Sequence, residues 1–279
     1  MCINNGGCEH CPARRILAGP RAIAETLPTL GLVVSVTAND AALLSHTGEY
    51  LPIALPDDPL LCGEDQIGLR MHPQFVHDAY LTPRALTVSN ESGYHRAHFT
   101  PLSERAGVGA LEFAPAEQAE EIEPVDWTDL SWRTADQITH LDALTVDRYK
   151  VLPFTGARRI DPEIIPCLFE HLNETDLPFT VGVPGGGCVQ LHRGRSVMVG
   201  QEGDHVAVVF NAAKYLMAPY FVAECWVTQA HGAAGATSSV ELYDHMGRCV
   251  TVLTQTGALC PHLHEAWEAL AMSLPDDEP

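Results

Sequence analysis

Apolar residues recur along this chain in two rhythms. AIAETLPTLG (22–31), PEIIPCLFEHLNE (162–174) and HLHEAWEALAMSL (262–274) repeat them at helical spacing, the last through Leu263, Trp267, Leu270 and Leu274. Elsewhere apolar and polar positions alternate in short runs rich in Val, Ile, Leu and aromatics, the period-two signature of strands. SVELYDHMGRCVTVLTQ (239–255) reads as two strands with a hairpin turn near His245-Met246-Gly247. Gly185-Gly186-Gly187 follows one strand and runs into another, so it predicts a hairpin turn and lacks the helix N-terminus of a phosphate loop.

These elements occur twice. AALLSHTGE (41–49) aligns with GCVQLHRGR (187–195) at an offset of 146 residues, with His46 on His192 and Gly48 on Gly194. FVHDAYLT (75–82) aligns with FVAECWVT (221–228) at the same offset. DQIGLRMH (65–72) resembles DHVAVVFN (204–211), and ALTVSNESGYHRAHFT (85–100) resembles SVELYDHMGRCVTVLT (239–254). Four blocks in one order predict an internal duplication. The predicted fold is α+β: two large antiparallel β-sheet units, each flanked by helices. The expected boundaries are a Cys-containing segment 1–18, a first repeat 19–104, a linker 105–128 around the acidic AEQAEEIEP, and a second repeat 129–279.

Composition narrows the function. A hydrophobic content of 46% supports a packed core, and a net charge of −20 argues against nucleic-acid binding, which needs basic surface. In that field an anionic ligand requires a local arginine cluster. No apolar run approaches the roughly 20 residues of a membrane span, and MCINNGGCEHCPARR lacks the apolar core of a secretory signal. Six of the nine cysteines are scattered through apolar stretches, as reduced thiols are, so the expected location is the cytoplasm. Cys2, Cys8 and Cys11, with His10 between the last two, offer thiolates and an imidazole to Zn²⁺ or an iron–sulfur cluster; an unliganded, readily oxidised N-terminus is the alternative.

The stretches GGGCVQLHRGR (185–195), AECWVTQ (223–229), SSVELYDHMGRCVTVL (238–253) and HEAWEALAMSL (264–274) resemble the C-terminal half of the HemS-type haemin-degrading or haem-trafficking proteins. LGLVVSVTANDAALLSHTGEY (30–50) and IGLRMHPQF (67–75) resemble the N-terminal half. The resemblance implies a duplicated fold with haem in a cleft between the halves. It implies a cytoplasmic carrier that takes haem from import machinery and passes it to a downstream haem-using protein, or a haem-degrading enzyme. It places a propionate-binding arginine at Arg70, for which a solvent-facing strand-end arginine is the alternative. The family's axial histidine falls on Ser131 or Trp132 by direct alignment and on His140 when the helix slides. Departures are Gly257 in place of a strand-terminal arginine, and Gln229, Ala230 and His231 in place of basic residues. A third possibility is a non-haem redox or regulatory protein built on the N-terminal cysteines.

Overall fold

The computed structural model describes residues 13–55, 62–111, 156–232, 235–255 and 260–277. In the first unit β2 (Gly31–Ala38), β3 (Ala42–Tyr50), β5 (Asp78–Thr82), β6 (Ala85–Asn90) and β7 (Gly93–Ser103) pair antiparallel in the order β5-β6-β7-β2-β3. In the second, β9 (Phe179–Gly185), β10 (Cys188–Gly194), β14 (Glu224–Gly232), β15 (Gly235–Tyr243) and β16 (Cys249–Thr254) pair in the order β14-β15-β16-β9-β10. The two orders correspond strand for strand, as a duplication requires. Short outer strands complete the match, with β1 (Arg14–Arg15) on β5 and β8 (Arg158–Ile160) on β14.

The remaining strands cross between units. β4 (Gln66–Met71) pairs with β10 of the second unit, Met71 opposite Cys188, while β13 (Ala213–Met217) pairs with β3 of the first, Met217 opposite Ala42. The 146-residue offset carries each pair onto the other, so each sheet is extended by a strand from the opposite copy. The hairpin of β11 (Met198–Glu202) and β12 (His205–Val209) lies beyond β13, and a short parallel contact of Glu49 and Tyr50 with Gln66 and Ile67 joins the two runs. This arrangement corrects the third repeat block, because β4 corresponds to β13 and not to the 204–211 segment containing β12. The constant offset also carries the turn Pro73–Phe75 onto Pro219–Phe221. The inserted hairpin has the same alternation as β4, and a period-two pattern does not distinguish neighbouring strands.

The predicted helices form as α1 (Pro20–Thr26), continued by a 3-10 turn over Leu27–Leu30, α3 (Ile165–Glu174) and α4 (Pro261–Ser273). Pro20 opens α1, where its missing N–H costs nothing. A short α2 (Ala106–Leu111) begins within the segment expected to be linker, and buries Val108 and Leu111 with Ile23, Leu27 and Leu30 in the first core. The second core gathers Leu168, Phe169 and Leu172 of α3 and Trp267 and Ala271 of α4 around β9, β15 and β16. Among the described residues no helix is long and apolar enough to cross a membrane.

The units interlock at two related turns. The glycine turn between β9 and β10 abuts the first unit, where the Gly187 carbonyl accepts from His72 N at 2.8 Å. A Cβ on Gly187 would stand 2.6 Å from the backbone of Phe75, and its φ of +79° favours glycine independently. The matching turn at Asn39-Asp40-Ala41 accepts from Ala218 N at 2.8 Å, but side chains hold it: Asn39 Nδ2 donates to the carbonyls of Pro184 and Val250, each at 2.9 Å, and Arg248 bridges Asp40 and Asp244.

Candidate functional site

Arg70 lies on β4 inside the second sheet, 1% exposed, which rules out the solvent-facing alternative. It stands opposite Val189 of β10. Val189 and Leu191 pack with Trp226, Tyr243, Cys249 and Val252 in a small apolar cluster separate from the two main cores. Gly182 shares their face, since a Cβ there would meet Leu191 at 3.4 Å and Val189 at 3.7 Å. The row Gly68, Leu191, Gly182, Val252, Glu241 runs straight across β4, β10, β9, β16 and β15. Cross-strand partners share a face, so this side of the second sheet is an apolar strip lowered by two glycines, with a guanidinium at one margin.

A carboxylate occupies the other margin. Glu241, 1% exposed, accepts from Thr228 Oγ1 at 2.6 Å and from the Tyr243 hydroxyl at 2.5 Å. These two hydrogen bonds satisfy polar atoms that burial would otherwise leave without water. Ser239, equally buried and next on the same face, has a hydroxyl with no hydrogen-bond partner among the described residues. Sequence reasoning missed Glu241, although its alternation with Ser239 and Tyr243 in SVELY was visible; the strip's floor came from three separate segments.

The axis between the units is filled, so it is not where the strip lies. His46 and His192, dyad-related by sequence, meet edge to face at 4.9 Å, both 1% exposed. Gly48 and Gly194, two residues on, leave room for the rings. Burial pulls His46 down to about 4, opposed by Asp65, and His192 to about 3, helped by His46. The pair is thus a buried ring contact between the two copies.

Beside them a second network closes the first unit. Ser35 and Thr37 both donate to Gln190 Oε1, at 2.7 and 2.8 Å. Having given its proton, Thr37 accepts from His95 Nδ1–H at 2.7 Å, which leaves Nε2 to accept from the Tyr50 hydroxyl at 2.8 Å. Burial holds His95 neutral, near 3.

Other histidines lie apart from the strip. His72 packs its ring on Phe75 at 4.6 Å, His77 is exposed, and burial and Arg96 lower His98 on β7 of the first unit. His264 is partly buried on α4, 3.1 Å from the Ala236 carbonyl, and His262 is exposed. His140, Ser131, Trp132, Gly257 and the N-terminal group of Cys2, Cys8, His10 and Cys11 lie outside the described residues. Among the described residues no three His, Cys, Asp or Glu side chains are grouped to hold a metal.

Residues 143–274 match the family model described as the haemin-degrading HemS.ChuX domain. No curated protein matches the chain. Among solved structures, holo-PhuS, a heme-binding protein from Pseudomonas aeruginosa, aligns with a TM-score of 0.71 at 21% identity, over 95% of this chain and 87% of that one. ChuS, described as an E. coli heme oxygenase, aligns with a TM-score of 0.73 at 16% identity, over 94% of this chain and 88% of that one.

Proposed function

We propose that the chain, whose residues 143–274 match the HemS.ChuX domain, is a HemS-type protein that binds haem and serves haem utilisation as a cytoplasmic carrier. The observation that carries this reading is the strip on the second sheet. A porphyrin requires a flat apolar bed, cations or donors for two propionates, and an axial ligand. Val189, Leu191, Gly182 and Val252 supply the bed, and Arg70 supplies a buried cation at its margin. His140 is the proposed axial ligand. Import machinery would deliver the haem and a downstream haem-using protein would receive it. The Glu241 carboxylate and its two hydroxyl donors hold the far margin of the strip in one arrangement.

Haemin titration tests the proposal. Saturable Soret change at micromolar haemin is expected for the wild type, with a shifted Soret maximum and weaker binding for His140→Ala. A wild-type titration that remains linear and unsaturated would overturn it.

A further inference from the structure

We propose that the outer face of the first sheet is a docking surface for an amphipathic helix of a partner protein, one whose apolar stripe is bordered by carboxylates. The inference stands apart from the haem reading. The inner face of this sheet, with Val33 and Ala97, is closed by α1 and α2. Alternation sends the next residue of each strand to the other side. There Thr87, Arg96, Val36, Ser45 and Lys214 form one row straight across β6, β7, β2, β3 and β13. Tyr94, Ala38, Leu43 and Leu216 form the row beside it. Val36, Leu43, Tyr94, Arg96 and Leu216 are all half-buried, so water reaches this face across its width.

The related face of the second unit is the buried strip, with Gly182 in place of Val36 and Val189 in place of Leu43. There Cys62, from the connection between β3 and β4, packs against the apolar cluster. The corresponding connection between β10 and β13 holds the β11–β12 hairpin, which pairs in the plane of the sheet and widens the first unit's face instead of folding over it. Val209 and Met198 of that hairpin continue the Lys214 row, and Met198 is 56% exposed. A broad apolar face without a second layer is a surface for a partner.

Arg96 sets the sign of that partner. Its Nε donates to Thr87 Oγ1 at 2.9 Å and its guanidinium lies over the Tyr94 ring at 4.9 Å, yet among the described residues it meets no carboxylate. The neighbouring bases are matched, Lys214 by Glu202 and Arg15 by Asp78. Arg96 and Lys214 stand three strands apart, roughly 14 Å. A helix about 10–12 Å across fits over Val36 and Leu43 between them. A carboxylate on its flank then completes the Arg96 guanidinium. A second copy would set two net charges of −20 against each other, a larger repulsion than a few carboxylates on one helix.

Fluorescence anisotropy on the full chain tests the surface, with a labelled helical peptide of Leu and Glu as probe and a Leu–Lys peptide of the same pattern alongside. The Leu–Glu peptide is expected to bind saturably at micromolar concentrations, and about tenfold more weakly to Arg96→Glu and to Val36→Asp. Arg195→Glu, a charge reversal away from this face, is expected to bind it as the wild type does. The Leu–Lys peptide, which the net charge favours everywhere, is expected to bind the wild type and Val36→Asp alike. Binding of the Leu–Glu peptide by both variants within twofold of the wild type, or none by the wild type, would overturn the proposal. So would a wild-type dimer in sedimentation that Val36→Asp converts to a monomer, since the face would then belong to a second copy. None of these readouts depends on the haemin titration.

Discussion

The two units share a strand order and a register but not an interior. In the first, Ser35, Thr37, Tyr50, His95 and Gln190 form a buried hydrogen-bonded chain. At the related positions the second carries Val181, Val183, Ser196, Thr251 and Leu44, three of them in its apolar core. Among the described residues of its core, the polar side-chain contact is Tyr215 hydroxyl to Thr251 Oγ1 at 2.9 Å, and the first unit has Leu69 at the position of Tyr215. Pairing is a backbone property, fixed once the inward face is chosen, whereas interior chemistry is satisfied or violated as a set. Gln190 shows this most directly: it belongs to the second copy by sequence yet completes the hydrogen bonding of the first.

The largest break in the comparison is expected at the interlocking turns. Gly187→Ala should destabilise by about 4 kcal/mol in denaturant unfolding, since it adds a backbone clash to an unfavourable φ. Asn39→Ala at the related turn should cost about 2 kcal/mol, the loss of side-chain bonds without a clash. Equal effects would mean that the turns are not held by different means.

Next is the polar chain itself. Gln190→Leu installs the residue of the related position and strands the Ser35 and Thr37 hydroxyls, at about 3 kcal/mol. Adding Ser35→Val and Thr37→Val removes the stranded hydroxyls but takes the Thr37 partner from His95, so it should recover only part of that loss. A triple variant no more stable than the single one would show that the set is not exchangeable.

Acid sharpens the contrast further. His46, His95 and His192 are held below the ordinary imidazole value by burial, so the unfolded chain takes up protons first. Stability is therefore fully present above about pH 6.5 and lost as pH falls toward 4 and then 3. His95→Thr, which again copies the second unit, should remove about 2 kcal/mol of the loss between pH 7 and pH 4.5, read from unfolding at both values. The smallest effect is expected at the rim, where the Arg15–Asp78 pair is largely solvated and Arg15→Ala should change stability by under about 0.5 kcal/mol.

Alternation and helical spacing by themselves determined the α+β class, the three helices, the duplication and the glycine turn, because each rests on local geometry repeated along the chain. The same patterns singled out His46 with His192 and, through the resemblance, Arg70, but not their surroundings. Only the tertiary structure decided that β4 and β13 trade places, since two strands with one period are interchangeable until both sheets are present. It also decided that Arg70, Leu191 and Glu241 share a face. They come from three strands brought together by long-range pairing, and nothing in their local sequence records which strands will be neighbours.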